Sequence, residues 1–278
     1  MKNCKNCGNE LLDGATVCPF CGCIVENNAE SQNVKSQQTK KKGKVIGILV
    51  TIVAVIIARL IGGFVGEFTA KNILESSQKN DIEEFIERME EYVPGHCGGN
   101  EYVSEKFGFR FVIDENWEFY SDEDLRAASE GLKTSATTSG LAALEKEDVP
   151  QELKDKFTES IYAATEMGAL YIADDMYVGE VIVGVMCAYG IENTSVEDYI
   201  DTIKNRLNAT AQVTNEYIAG STYKVLSAKI TDINGVNTVV KMYTKIKDNM
   251  ICMITCRAME GYEEQLFKAF EDGISAYK

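Results

Sequence analysis

The chain has 278 residues, with 28 Lys and Arg against 43 Asp and Glu, for a net charge of −15. Residues 1–44 carry seven lysines against Glu10, Asp13, Glu26 and Glu30, a balance of +3, so the remainder carries −18. So acidic a remainder argues against nucleic acid or an anionic polymer as its partner.

Five of the nine cysteines fall in the first 23 residues. The stretch CKNCGNELLDGATVCPFCG is Cys-x2-Cys, ten residues, then Cys-x2-Cys. Thiolates from Cys4, Cys7, Cys18 and Cys21 suit a closed tetrahedral zinc site. Gly8 and Gly22 let each knuckle turn back so that backbone amides point at the sulfurs. This stretch resembles the short zinc ribbon, with a CPxCG second knuckle, at the N-termini of many bacterial membrane proteins, and the resemblance implies a structural zinc ion. Cys23 is a spare thiol outside the paired spacing. Disulfides conflict with the cytoplasmic location argued below, and a redox pair needs one Cys-x2-Cys in a βαβ context that neither knuckle has. Residues 4–23 contain no Arg, one Lys and one aromatic, Phe20, too little for nucleic-acid readout. Residues 1–25 are therefore expected to be a zinc ribbon that docks a cytoplasmic protein. Residues 26–44 are polar and end in Lys40, Lys41, Lys42 and Lys44. They make a flexible basic linker ending at anionic headgroups.

Residues 45–66, VIGILVTIVAVIIARLIGGFVG, contain Arg59 as their one ionisable residue. As a helix they span about 33 Å, against roughly 30 Å of bilayer hydrocarbon. A transmembrane helix is the expectation; a buried core helix is the alternative. Lysines before the span and acidic residues after it place the N-terminus inside and the C-terminal domain outside the cell membrane. A cleaved signal peptide would have a shorter apolar region nearer the N-terminus. Arg59, Gly62 and Gly66 share one helix face, and Gly62 with Gly66 forms a GxxxG that allows close helix approach. Two readings stand here: pairing of the span with another span, including a second copy, or simple anchoring of Arg59 at the outer headgroups.

Residues 67–100 read as a juxtamembrane helical stalk. NDIEEFIERMEEYV sets Ile82, Phe85, Ile86, Met89 and Val93 at helical spacing, and Pro94-Gly95 ends the pattern. Residues 101–278 read as an extracytoplasmic α+β domain with a mainly antiparallel sheet packed by helices. Strand patterning opens it with GFRFVIDENW. Helices are expected over 122–132 and 152–167, separated by a TSATTSG loop. Two strands meet around 174–179, and a helix capped by Thr194 or Ser195 covers 195–207. Strands follow at 212–218, 223–233 and 236–247, with Asn234-Gly235 as a tight hairpin. A turn at Asp248-Asn249 leads to a further strand that carries MICMITCRAM, and a helix over 262–276 closes the chain. The opening FGFRFVIDENW, the helix beginning SVEDYI and the hairpin-plus-helix ending resemble the PsbP-like fold. Asp114-Glu115-Asn116 stands where that family has its proline-glycine turn before Trp117. The fold is widely reused, so the resemblance implies no activity.

Catalytic residues are not evident. His96 and Cys97 are neighbours in a Pro/Gly-rich stretch, a poor scaffold for a dyad. Cys252 and Cys256 share a strand face and are expected to pack as small apolar residues, with Cys187 near enough to pair with one of them. Asp174-Asp175 and Asp122-Glu123-Asp124 lack calcium-loop spacing. P-loop, GxSxG and HExxH motifs are missing. The reading is a single-pass, non-enzymatic adaptor or sensor whose outer domain binds a protein or an envelope ligand. The alternative is an outer domain that carries a small ligand or is an enzyme, and a deep pocket with converging polar groups is what would favour it.

Overall fold

The computed structural model describes residues 2–3, 10–11, 62–75, 84–87, 89, 91–147, 149–187, 189–191, 195–207, 210–231 and 237–278. Near the N-terminus, β1 (Lys2–Asn3) pairs antiparallel with β2 (Glu10–Leu11), Asn3 opposite Glu10.

Three two-residue turns build the main sheet. Asp174–Asp175 (φ 51° and 59°), Ala219–Gly220 (48° and 72°) and Asp248–Asn249 (48° and 64°) all hold both residues in the left-handed region. That geometry matches the right-handed twist of paired strands. The small sheet contains β3 (His96–Gly98), β4 (Glu101–Ser104) and β5 (Phe109–Val112). The large sheet contains β6 (Trp117–Phe119), β7 (Tyr162–Ala173), β8 (Met176–Cys187), β9 (Ala211–Ile218), β10 (Ser221–Thr231), β11 (Asn237–Lys247) and β12 (Met250–Met259). Its order is β6-β7-β8-β12-β11-β10-β9, with every pairing antiparallel. The short β13 (Ile274–Ala276) completes the small sheet, in the order β13-β5-β4-β3.

The helices are α1 (62–75), α2 (84–87 and 89), α3 (Asp122–Lys146), α4 (Gln151–Glu159), α5 (Val196–Leu207) and α6 (Glu263–Gly273). Alternation along each strand splits the apolar residues between two faces. Val181, Val183, Val185, Cys252, Ile254 and Cys256 face the small sheet and α6, and pack with Phe109, Phe111, Leu266 and Phe270. Met186, Leu226, Met242, Ile251 and Met253 face the other way, onto Phe64 and Val65 of α1, Leu132 of α3 and Tyr199, Ile200 and Ile203 of α5. Each such fully buried side chain contributes on the order of 1.5–3 kcal/mol.

Several elements differ from the expectation. The TSATTSG segment is helical, because α3 runs unbroken for 25 residues. Ser121 and Asp124 form a capping box at its start, and Leu132, Ala136, Gly140 and Leu144 lie on one buried face. Burial of that face offsets the weak helix propensity of Thr, Ser and Gly. The helix expected over 152–167 ends at Glu159, and the chain then enters β7. The last helix ends at Gly273 and hands on to β13, which pairs with β5. Asn234-Gly235 lies outside the described residues.

The stalk expected over 67–100 contributes to the fold: Ala70 and Ile73 pack with Ala136, Leu144 and Phe157, Phe85 joins the main core, and β3 pairs with β4. Residues 62–66, assigned by the sequence to the end of the span, are helical and buried within the described part of α1. Residues 45–61 lie outside the described residues. No helix among the described residues is long and apolar enough to cross a membrane.

Candidate ligand-binding site

Phe85, Met89, residues 91–93, the β4–β5 turn, the end of β8 and the β11–β12 turn line a cavity of about 630 Å³. Its floor is apolar: Phe85, Met89, Met250 and Cys187. Glu91, Glu105, Lys106 and Asp248 line it as well, and the two glutamates are exposed. The left-handed Asp248–Asn249 turn shapes one side. It brings the Asn249 carbonyl within 3.2 Å of Cys187 Sγ, which donates to it. It also sets the Asp248 carboxylate 2.8 Å from Lys106 Nζ, and that hydrogen bond holds the Asp248 pKa below the ordinary range. Lys247 Nζ donates to the Lys106 carbonyl at 2.9 Å and ties the two turns together.

Behind the cavity lies a buried carboxylate. Thr165 pairs with Gly184 and Met167 with Val183, so Glu166 is the extra residue of a β-bulge. A bulge re-aims the side chain that it leaves unpaired. Glu166 is 9% exposed. Its Oε1 accepts from the Tyr92 hydroxyl at 2.5 Å, and its Oε2 accepts from the Gly95 amide at 2.9 Å and the Tyr102 hydroxyl at 2.8 Å. Burial pushes the Glu166 pKa up and outweighs these donors, each of which pulls it down. Burial first, and the nearby carboxylate second, push the Tyr92 and Tyr102 phenols far above their usual range. The Tyr92 ring meets Tyr162 edge-on at 5.3 Å. Glu166 thus pins the segment that forms one wall of the cavity onto the sheet.

A second buried cluster lies on the opposite face of the sheet. Glu180 and Arg257 are cross-strand partners; Arg257 Nε donates to Glu180 Oε1 at 2.8 Å and the Tyr120 hydroxyl donates to Oε2. Both charges are nearly sealed from solvent and answer one another, the arrangement of a structural ion pair. A smaller cleft of about 440 Å³ runs past Trp117, Tyr171 and Asp114, with the Lys268–Asp272 ion pair of α6 among its lining.

Cys4, Cys7, Cys18, Cys21 and Arg59 lie outside the described residues. Gly62 and Gly66 pack inside the chain, against Leu132, Ala136 and Gly140 of α3. A Cβ on Gly66 would overlap the Ala136 carbonyl, so the GxxxG spacing serves a helix contact within this fold. His96 and Cys97 are successive residues of β3, opposite Val103 and Tyr102, and so point to opposite sides of the strand. Cys252 and Cys256 are buried thiols. Burial pushes both thiols well above their ordinary pKa, which leaves them unreactive. The register sets Cys187 opposite Met250, with Cys252 opposite Val185. Asp174–Asp175 is a hairpin turn, and Asp122–Asp124 is the first turn of α3. Among the described residues no three His, Cys, Asp or Glu side chains are grouped to hold a metal.

Sequence reasoning missed Tyr92, Tyr102 and Glu166, because it carried a helix through Met167. One signal was available: a hairpin turn at Asp174 with a twelve-residue arm, Met176–Cys187, after it calls for a matching arm before it, and that arm contains Glu166.

No protein-family model matches the chain, and no curated protein matches it. Solved structures do, at low similarity. A protein of Bacteroides thetaiotaomicron aligns with a TM-score of 0.35 and 8% identity over 66% of this chain, which spans half the length of that one. LpqN, involved in cell envelope biogenesis of Mycobacterium tuberculosis, aligns with a TM-score of 0.35 and 9% identity over 67% of this chain and 90% of its own. Cyanobacterial PsbP (CyanoP) from Synechocystis sp. PCC 6803 aligns with a TM-score of 0.33 and 10% identity over 66% and 98%.

Proposed function

We propose that this chain is a single-pass, membrane-anchored adaptor or sensor: a cytoplasmic zinc ribbon, one span, and an extracytoplasmic α+β domain of the PsbP-like type that binds a partner at the 630 Å³ cavity. One observation carries this reading. Phe85, Met89 and Tyr92, which line the cavity, belong to the segment that joins α1 to the small sheet. An occupant of the cavity therefore touches the segment that follows α1, the helix adjacent in sequence to the proposed anchor. A ligand shifts an equilibrium by its differential affinity for two states, and this segment is where such a difference is felt.

Zinc is supported by donor chemistry. Two Cys-x2-Cys pairs supply four soft ligands, and the β1–β2 pairing of Asn3 with Glu10 brackets the stretch that holds Cys4 and Cys7. The ion would close the ribbon and leave no open position for chemistry. The Glu166 and Glu180 clusters hold their hydrogen-bond donors within the protein, a geometry that suits a rigid binding scaffold.

Cross-linking in intact membranes tests the reading. The full chain is compared with a form in which Cys4, Cys7, Cys18 and Cys21 are Ser. The expected result is loss of the cytoplasmic partner with an unchanged melting transition of the C-terminal domain. An identical captured set would remove the ribbon as the docking module, and recovery of the chain in the soluble fraction would remove the anchor.

A further inference from the structure

Taking the cavity as the binding site, we propose that its ligand is a basic, apolar peptide segment of a partner protein: one large apolar side chain on the floor, flanked by Lys or Arg at the rim. Three observations lead there. The volume, about 630 Å³, lies within the roughly 300–1,000 Å³ of pockets that enclose a compact organic group. The floor combines a ring, Phe85, with two thioethers, Met89 and Met250, and Met reshapes readily around an incoming apolar group. The rim supplies the sign. Asp248 already holds Lys106 at 2.8 Å, whereas Glu91 and Glu105 form no ion pair among the described residues. With Lys247 counted beside Lys106, the rim still holds three carboxylates, Glu91, Glu105 and Asp248, against two lysines, and the chain's net charge of −15 steers cations toward it from a distance. An anionic ligand would meet two carboxylates and a lysine already engaged. Val93, which is 77% exposed, extends the apolar lining outward beside Tyr92, so a ligand longer than the cavity finds a continuous track.

Calorimetric titration tests this on the full chain in nanodiscs of zwitterionic lipid, with three acetylated pentapeptides: Arg-Leu-Arg-Phe-Arg, the same with Glu for Arg, and the same with Gln for Arg. Arg-Leu-Arg-Phe-Arg is expected to bind at least tenfold tighter than the Glu peptide. Its affinity is expected to fall several-fold between about 50 and about 300 mM salt, as screening of exposed charges requires. The double variant Glu91→Gln, Glu105→Gln should weaken it about 2- to 10-fold while leaving the melting temperature in place. The methyl resonances of Met89 and Met250 should move during the titration and report where it binds. Equal binding of the Glu peptide, or binding indifferent to salt, overturns the proposal and leaves the cavity as a site. Failure of all three peptides to bind overturns the proposal and the cavity reading together.

Discussion

Glu166 is a carboxyl group in a place that disfavours its charge, and the conflict has a measurable sign. Burial raises its pKa against the pull of Tyr92, Tyr102 and Gly95. The unfolded chain has an ordinary glutamate pKa of about 4.3. Between that value and the raised folded one, the native state holds more protons than the unfolded state, so stability falls as pH rises through the window. The contribution is therefore fully present below the unfolded pKa and lost above the folded one. Glu166→Gln keeps an acceptor oxygen and removes the titration. Urea unfolding midpoints measured from about pH 4 to pH 8 should slope in the parent across that window and lose the Glu166 component of the slope in the variant. An unaltered slope would show that the buried site exerts no proton linkage. Glu166→Ala is a different perturbation: it orphans the donors of Tyr92, Tyr102 and Gly95 and should cost about 1–3 kcal/mol for each group left unsatisfied.

Close helix packing gives the Gly62-Gly66 spacing, at the end of the expected span, a contact inside the domain. Gly62 and Gly66 meet Ala136 and Gly140, and four residues along α1 correspond to four along α3, so the two helices run parallel. Small residues at i and i+4 permit that approach in water as well as in lipid, and the sequence cannot say which solvent surrounds them. Gly66→Leu forces a branched side chain into the Ala136 backbone and should destabilise the domain by about 1–3 kcal/mol, read as a lower thermal midpoint and faster hydrogen exchange in α1. Were the glycine pair instead to serve a second copy of the span, chain-to-chain cross-linking would fall and the midpoint would hold. The same small residues hid α3, since TSATTSG contains the helix's buried Ala136 and Gly140 in a composition typical of loops. What was legible had strong local chemistry: the Asp248-Asn249 turn, the Ser195 cap of α5, which accepts the Asp198 amide at 3.0 Å, and the shared face of Cys252 and Cys256. What was not legible depended on distant partners. No local pattern marks Glu166 as the residue a bulge turns inward, or brings Phe85 and Met250, far apart in sequence, to one cavity.

At the scale of the whole molecule, the orientation proposed for the chain has a consequence for where the domain stands. α3 begins ten residues before Leu132, the residue that Gly62 touches, and so reaches about 15 Å past Gly62 along their common direction. That end carries Asp122, Glu123 and Asp124, which have no place in hydrocarbon. In the proposed orientation that end of α3 stays outside the hydrocarbon, and so do the residues of α1 packed beside the helix. The nine cysteines make the partition testable without altering a residue. Cys97 is exposed on the edge strand of the small sheet, whereas Cys252 and Cys256 are fully buried. A membrane-impermeant maleimide applied to whole cells should modify Cys97 and leave the five N-terminal cysteines untouched. Permeabilisation with a zinc chelator should expose those five. Cys252 and Cys256 should react only after denaturation, since a thiol without solvent contact or thiolate character is inert. Labelling of the N-terminal cysteines on intact cells, with Cys97 protected, would reverse the orientation. Labelling of both sets only after lysis would place the whole chain inside.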